Sequence, residues 1–464
     1  MAELRGVVDQ TLDLLRRRSP DAFEIYVDES SSFSVESKDG RLDTLEASRS
    51  WGMAIRVLTG HRMGFSYTTS SSSSPLLPLD VGSGLERMIE DAMAGAAAVS
   101  PDPSLDFAPA LDGPLPDLPI FDDSLERTAE EAKIERARRL EETARSVDPA
   151  RIKKVRKASY QDVLSHKSLI NSNGLEVSYA STFASISVTA IAEESGESEV
   201  GWDFDFSHFA KDLGIEKVGT TAGERALGKL RGEKVPTGTY PVLLQNHVAS
   251  DFLSLLAHAF LAEQVQKGKS PLRGRKGERL FSPLVSIVDD GLLCKGAGTS
   301  AVDGEGTPTG RTYLAKDGEI LGFLYDRYWA NRERAATPSR RAASTGNSRR
   351  SGIKAPPGLG VSNFFVEPGS GSPSALLSDL ERGIVVEDVM GLHTVDPISG
   401  DFSLGCSGGW VTGGRRVHPV KSIAVAGNLF DLFRRIERVG EDLRFFGKIG
   451  SPSLLISSLP ISGK

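Results

Sequence analysis

The chain has 464 residues, 62 acidic against 55 basic side chains, and a net charge of −7. That length holds two or three domains with sizeable cores, and the acidic balance argues against general binding to nucleic acid or membrane surfaces. Two distant cysteines, Cys294 and Cys406, build no disulfide framework and point to reduced thiols in a cytoplasmic protein.

The opening segment, MAELRGVVDQTLDLLRRR, reads as an amphipathic helix. Leu4, Val7, Val8, Thr11 and Leu15 fall at helical spacing, and Ser19-Pro20 stops it. Its early acids and lack of an apolar run argue against a signal peptide. Alternating runs follow, FEIYVDES, SFSVES, GMAIRVL and GFSYTT, punctuated by Asp39-Gly40 and Gly60-His61. They predict a meander of short antiparallel strands. Ser70–Ser74 reads as a polar loop, and Leu85, Met88, Ile89, Ala92 and Met93 mark a second helix. Six prolines between Pro101 and Pro119 make an extended connector.

The pattern then recurs. A charged helix is expected from Ser124 to Val147, buried through Ile134, Ala137, Leu140, Ala144 and Val147. Strand-like runs VRKASYQDVL, HKSLINS, LEVSYAS, FASISVTAIAEE and EVGWDFDFS follow, with Asn173-Gly174 as a hairpin turn. A short helix near Ala222–Leu230 closes the unit. Element order, more than residue identity, implies an internal duplication. Beyond Gly232 come the strand YPVLLQ and a helix over Val248–Val265. Glycine-punctuated strands then run to the end, interrupted by a short helix over Asn428–Arg438. The expected fold is α+β, with domains at 1–112, 118–231 and 232–464. The first two are helix–antiparallel-meander–helix units; the third is larger and mainly antiparallel β. No stretch reaches the ~18–20 apolar residues of a membrane span.

Common catalytic signatures are missing: no HExxH, Walker loop, GxSxG or CxxC occurs. On the helix after YPVLLQ, His247, Asp251, Ser254 and His258 share one face. His247 and Asp251 stand one turn apart, as metal ligands would. His258 lies three turns beyond His247, roughly 16 Å along the axis, too far for one ion. A solvated or partner-facing polar stripe is the plainer reading.

The run from Asn331 to Gly352 is polar, arginine-rich and without apolar period, so it predicts a long mobile loop. It reads either as solvated surface or as a lid over a groove for an extended or acidic peptide. Cys406 sits among small residues on a probable hairpin with His418 across from it. A buried structural cysteine explains it without a catalytic role. Asp289-Asp290 and Asp303/Glu305 adjoin glycine turns, and turn formation accounts for them.

From about residue 236 onward the chain resembles the TldD/PmbA family. The resemblance rests on an ordered set: SIVDDG, DGEGTPTGRTYLAKDGEILGFLYD, Thr345-Gly346-Asn347, SNFFVEPG, SGDFSLGCSGGWVTGG, HPVKSIAVAGNLFDLF and GSPSLLISSLPISG. The two-repeat front half also suits that family. The resemblance implies a choice between two branches. The TldD branch holds zinc through HExxxH on a helix and a cysteine near the C-terminus, with the glutamate activating water. The PmbA/TldE branch lacks these residues and pairs with TldD. Here HExxxH would fall on Leu253–His258, reading LSLLAH. His258 keeps one ligand position, while Leu253 and Ser254 replace histidine and glutamate. The cysteine would fall in GKIGSPS, residues 447–453, which has none.

The resemblance therefore implies a PmbA/TldE-like subunit of a cytoplasmic TldD/TldE-type metalloprotease complex. It would act on unfolded or small peptides, in proteolysis or peptide maturation. No catalytic residue, metal or cofactor is expected in this chain, with zinc in the TldD-type partner. Expected partners are that protease subunit and extended peptides, added to an exposed edge of a sheet; a homodimer stays open, and no membrane or nucleic-acid partner is expected. Candidate cleft residues are Asn331, Arg332, Asn347, Asn363, Phe365 and Cys406. Two alternatives stay open: a metallopeptidase in its own right with a non-standard site at His247, Asp251 and His258, or a regulatory binder of DNA gyrase or an antitoxin.

Overall fold

The structure is a computed structural model and describes residues 2–71, 81–337 and 341–464. The opening helix is α1 (Ala2–Arg18), burying Val7, Val8, Thr11 and Leu15. It leads into three strands, β1 (Ala22–Lys38), β2 (Arg41–Thr59) and β3 (Arg62–Ser71), and then α2 (Val81–Ala98). The expected short strands are longer, because FEIYVDES and SFSVES are one strand. Serines flatten the hydropathy pattern between them, yet Ser30 and Ser32 pair with Ser50 and Ser48 and share hydroxyl hydrogen bonds across the ladder. Ser70 and Ser71 end β3, and the rest of the expected Ser70–Ser74 loop lies outside the described residues.

The second unit repeats this order: α3 (Glu130–Ser146), β4 (Lys154–Asn171), β5 (Glu176–Glu194), β6 (Glu197–Ser207) and α4 (Ile215–Lys229). The charged helix starts later than Ser124. Asp122 turns the chain there, accepting from the Ser124 and Ala210 amides. The two units share one six-stranded antiparallel sheet, ordered β3-β2-β1-β4-β5-β6, with Ile25 of β1 opposite Ile170 of β4. A common packing device supports the duplication. At Gly64 in β3 a Cβ would stand 1.7 Å from the Ala92 carbonyl of α2, beside Ala96. At Gly201 in β6 a Cβ would stand 2.2 Å from the Ala222 carbonyl of α4, beside Ala226. In each unit a third-strand glycine lets a helix lie directly on the sheet.

The third unit begins with β7 (Gly238–Leu244) and α5 (Asn246–Ala257). The single helix expected to reach Val265 breaks after α5. His258–Phe260 forms a 3₁₀ turn, and Leu261 leaves the helix to pair with Leu324, whose backbone bonds Phe260 and Ala262. Tertiary pairing overrides helical propensity there.

One sheet runs Glu319–Ile320, Arg311–Lys316, Ile287–Asp290, Phe364–Val366, Ile449–Ser451, Arg444–Phe446. The other runs Arg415–Asn428, Asp401–Thr412, Arg382–Met390, β7, Leu454–Ser462, Ile436–Val439. A further pairing of Val425 with Ile461 closes its first five strands into a ring. Most pairings are antiparallel; β7 with Arg382–Met390 and Phe364–Val366 with Ile449–Ser451 are parallel. The expected helix over Asn428–Arg438 shortens to Leu429–Arg434, because Ile436–Val439 joins this sheet. Phe252, Leu253 and Leu256 of α5 pack into the core that both sheets contribute to. Among the described residues, no helix is long and apolar enough to cross a membrane.

The run expected as a mobile loop from Asn331 is ordered at both ends. Asp326 caps a helix, Arg327–Ala336, by accepting from the Trp329 amide. The apolar anchors of this helix, Trp329 and Ala330, lie just before the polar run, so its composition hid the helix. Ser348–Arg349 is a short strand paired with Gly358–Leu359; residues 338–340 lie outside the described set.

Candidate functional site

The segments that the resemblance singles out meet in space. Strand Ile449–Ser451 packs against α5, which carries LSLLAH at its end. Leu253 is fully buried in the core, Ser254 folds its hydroxyl back onto the Asp251 carbonyl, and His258 is exposed. One imidazole beside a buried leucine and a self-satisfied serine is not a zinc donor set. Among the described residues no three His, Cys, Asp or Glu side chains are grouped so as to hold a metal ion.

His247 and Asp251 belong to a different environment. His247 Nε2 lies 2.6 Å from the Glu387 carbonyl oxygen, and Nδ1 lies 3.3 Å from Arg225. Burial and the Arg225 charge push His247 down to about 4. Burial and Asp388 push Asp251 up to about 6. His247 is thus a packed link between α5, α4 and strand Arg382–Met390, edge-on to Trp202.

The six candidate cleft residues do not converge. Asn331 donates to the Ser104 carbonyl and pins the proline connector to helix Arg327–Ala336. Exposed Arg332 lies over the Trp329 ring. Phe365 is buried edge-on to Phe445, in a strand flanked on both sides by others, so SNFFVEPG offers no free edge. Cys406 is buried among aliphatic side chains, which pushes its thiol up to about 12. His418 stands opposite Trp410, not Cys406, so the hairpin makes no cysteine–histidine pair.

Asn347 and Asn363 do share a network, facing inward. Asn347 Nδ2 donates to Asp289 Oδ2 at 2.7 Å, while Asp289 Oδ1 accepts from the Ser362 amide. Asn363 donates to the Asp290 carbonyl and accepts from the Gly298 amide. The 296–298 loop lies so close that a Cβ on Gly298 would stand 2.1 Å from the Ser362 carbonyl. The two asparagines therefore fix two loops, 297–304 and 348–352, in place.

Those loops roof a cleft of about 330 Å³ whose floor is the shared sheet where the two repeats join. Tyr26 and Asp28 of β1, Lys167 of β4 and Tyr179 and Phe183 of β5 face it from below. Asp303, Ser348, Arg349 and Lys448 face it from above. Sequence reasoning missed this cleft: its floor residues alternate with core residues along long strands, and nothing local marks them. Beside it a buried ionic junction ties the sheet to the third unit. Arg56 grips Glu24 with two hydrogen bonds, Nε to Oε1 at 2.9 Å and Nη2 to Oε2 at 2.7 Å. Arg350 bonds the same carboxylate and stacks on Tyr26, and Glu305 lies 3.6 Å from Arg56. Although burial opposes it, the two guanidiniums hold Glu24 below the ordinary carboxylate range. Asp303 is pushed above that range by burial and by Glu305, though it accepts the Glu305, Thr307 and Ser348 amides.

Fold and site together define a three-unit α+β protein in which the helix end at 253–258 carries no metal donor set. Models of the PmbA/TldA metallopeptidase match along the chain: domain 1 over residues 23–96, the central domain over 123–230 and the C-terminal domain over 237–463. The chain belongs to this PmbA/TldA metallopeptidase family. It is 29% identical to metalloprotease PmbA of Escherichia coli O157:H7, across 99% of this chain and 96% of that one. It is 24% identical to a metalloprotease TldD homolog of Haemophilus influenzae, across 97% and 95%. The crystal structure of TldE from Thermococcus kodakarensis superposes with a TM-score of 0.87 over 98% of this chain and 100% of that one; at 20% identity this likeness speaks for the fold.

Proposed function

We propose that this chain is the subunit without a zinc site in a cytoplasmic TldD/TldE-type metalloprotease complex that cleaves unfolded or small peptides. One observation carries the reading. Along a chain matched almost throughout by a metallopeptidase family, α5 packs against the strand at 449–451, yet the helix end at 253–258 and that strand offer His258 as their sole histidine, cysteine or acidic side chain. The catalytic zinc then belongs to a TldD-type partner, and this chain contributes enclosure and substrate positioning. The reading of a self-sufficient peptidase at His247, Asp251 and His258 is disfavoured by His247, which is buried against the Glu387 carbonyl. A DNA-binding role through the 332–350 arginines loses two of its cations, because Arg349 and Arg350 turn inward.

Co-expression with a TldD-type chain from the same genome tests the proposal. The two chains are expected to co-purify, with zinc in the partner and peptidase activity only in the pair. Peptidase activity of this chain alone, with stoichiometric zinc lost in His258→Ala, would sink it.

A further inference from the structure

We propose that the cleft between the shared sheet and the third unit is a carboxylate subsite, holding an anionic group of an extended peptide between Lys167 and Lys448. The inference rests on the peptide-handling role proposed above and adds a chemical preference to it.

The cations of the cleft are unequally engaged. Arg350 is committed to Glu24, and Arg349 to the Val361 carbonyl and the Ser362 hydroxyl. Lys167 and Lys448 make no ion pair among the described residues, and they approach from opposite sides, sheet floor and roof. Desolvation in the cleft, then the Arg349 and Lys167 charges, hold the Lys448 ammonium below the ordinary lysine range. Lys448 as a residue stays exposed, so the two neighbouring charges matter more than its burial. Three mutually repelling cations are relieved by an incoming anion.

The acids of the cleft do not meet that need. Asp303 is occupied by three backbone amides, and its carboxyl is pushed toward the neutral form. Asp28 sits opposite Lys167 in register without bonding it. Two further atoms lack partners. Ser348 is fully buried, lines the cleft, and its Oγ has no hydrogen bond; Asp28 Oδ1 has none either. Buried polar atoms are ordinarily satisfied. A peptide supplies both complements, with its carboxylate accepting from Ser348 Oγ and the lysines, and a peptide N–H donating to Asp28 Oδ1. About 330 Å³ lies at the small end of ligand pockets, which run roughly 300–1,000 Å³. That space suits a chain end or one side chain, not a folded domain.

A C-terminal carboxylate and an acidic side chain share this chemistry, and the test separates them. The full chain is titrated calorimetrically at low salt with three probes: acetyl-Ala-Ala-Ala with a free carboxylate, its C-terminal amide, and acetyl-Ala-Glu-Ala amide. At least one acidic probe is expected to bind tenfold or more tighter than the neutral amide, and which one names the source. The double variant K167M/K448M is expected to lower that probe to the level of the neutral amide with an unchanged circular dichroism spectrum. Lys448→Glu alone is expected to reverse the preference toward a lysine-bearing peptide. Equal affinity for acidic and neutral probes, or acidic binding unaltered in the double variant, overturns the subsite and leaves peptide handling standing. No binding of any probe overturns both, while partner association is judged separately by co-purification.

Discussion

Burial sets what each cysteine can do. Cys406 is closed in by the aliphatic core of the third unit and its thiol is pushed up to about 12, whereas Cys294 is exposed. The thiolate is the reactive species, so only an accessible thiol reacts near neutral pH. A disulfide-exchange reagent is therefore expected to titrate one thiol in the native chain and two after denaturation, with Cys294→Ser abolishing the native signal. Two thiols reacting natively at similar rates would contradict the packing around Cys406. A buried structural cysteine is one reading the sequence allows, but His418 across the hairpin and a place in the cleft stand beside it, and only the strand register, with His418 opposite Trp410, separates them. The same local view failed for Asn347 and Asn363. Their polar side chains looked available to substrate, but their partners, Asp289, Asp290 and Gly298, are about 50 to 75 positions away in the chain and came together only on folding.

Elements were readable where hydropathy alternates and obscure where serine or charge blurs it. The repeat of helix, meander and helix could be read from order alone, whereas the fusion of the two meanders through β1 and β4 could not, since register between distant strands leaves no local mark. The glycine beneath each closing helix gives that duplication a measurable consequence. Gly201→Ala places a Cβ 2.2 Å from the Ala222 carbonyl, and backbone must move to admit it. Overpacking of this kind costs about 1–3 kcal/mol, and Gly64→Ala should lose a comparable amount against α2. Gly6→Ala in α1, where nothing lies within 4 Å, should instead gain up to ~1 kcal/mol from helix propensity. Urea unfolding of the three variants decides this. Equal effects at Gly201 and Gly6 would mean that α4 does not lie directly on β6.

At the scale of the whole molecule, the ionic junction of Glu24, Arg56, Arg350 and Glu305 makes the sheet and the third unit mechanically one. Glu24 comes from β1 and Arg350 from the far side of the cleft, and both are buried. Removing one member of such a group leaves uncompensated charge, which costs about 3–5 kcal/mol. Glu24→Gln keeps the shape and removes the charge, leaving Arg350 without a carboxylate and Arg56 with Glu305 alone. The native chain is thus expected to melt in one calorimetric transition and the variant in two, the first corresponding to release of the sheet. The pH dependence follows from the direction of each shift. Glu24 is held below its ordinary 4.5, so its contribution is complete above that value and is lost as pH falls through the lower folded value. Asp326, pushed up to about 7 by burial and Glu305, acts in the opposite sense. Its penalty is absent below the ordinary aspartate value of 3.8, grows as pH rises to about 7, and is constant beyond. Melting temperature should therefore fall on acidification below 4.5 through Glu24 and decline from mildly acid to neutral pH through Asp326 and Asp303, which is also pushed up to about 7. In Glu24→Gln the acid limb should flatten while the decline toward neutral pH persists, because Asp326, Asp303 and Glu305 remain. An acid limb of undiminished steepness in that variant would show that other carboxylates, not this junction, hold the units together at low pH.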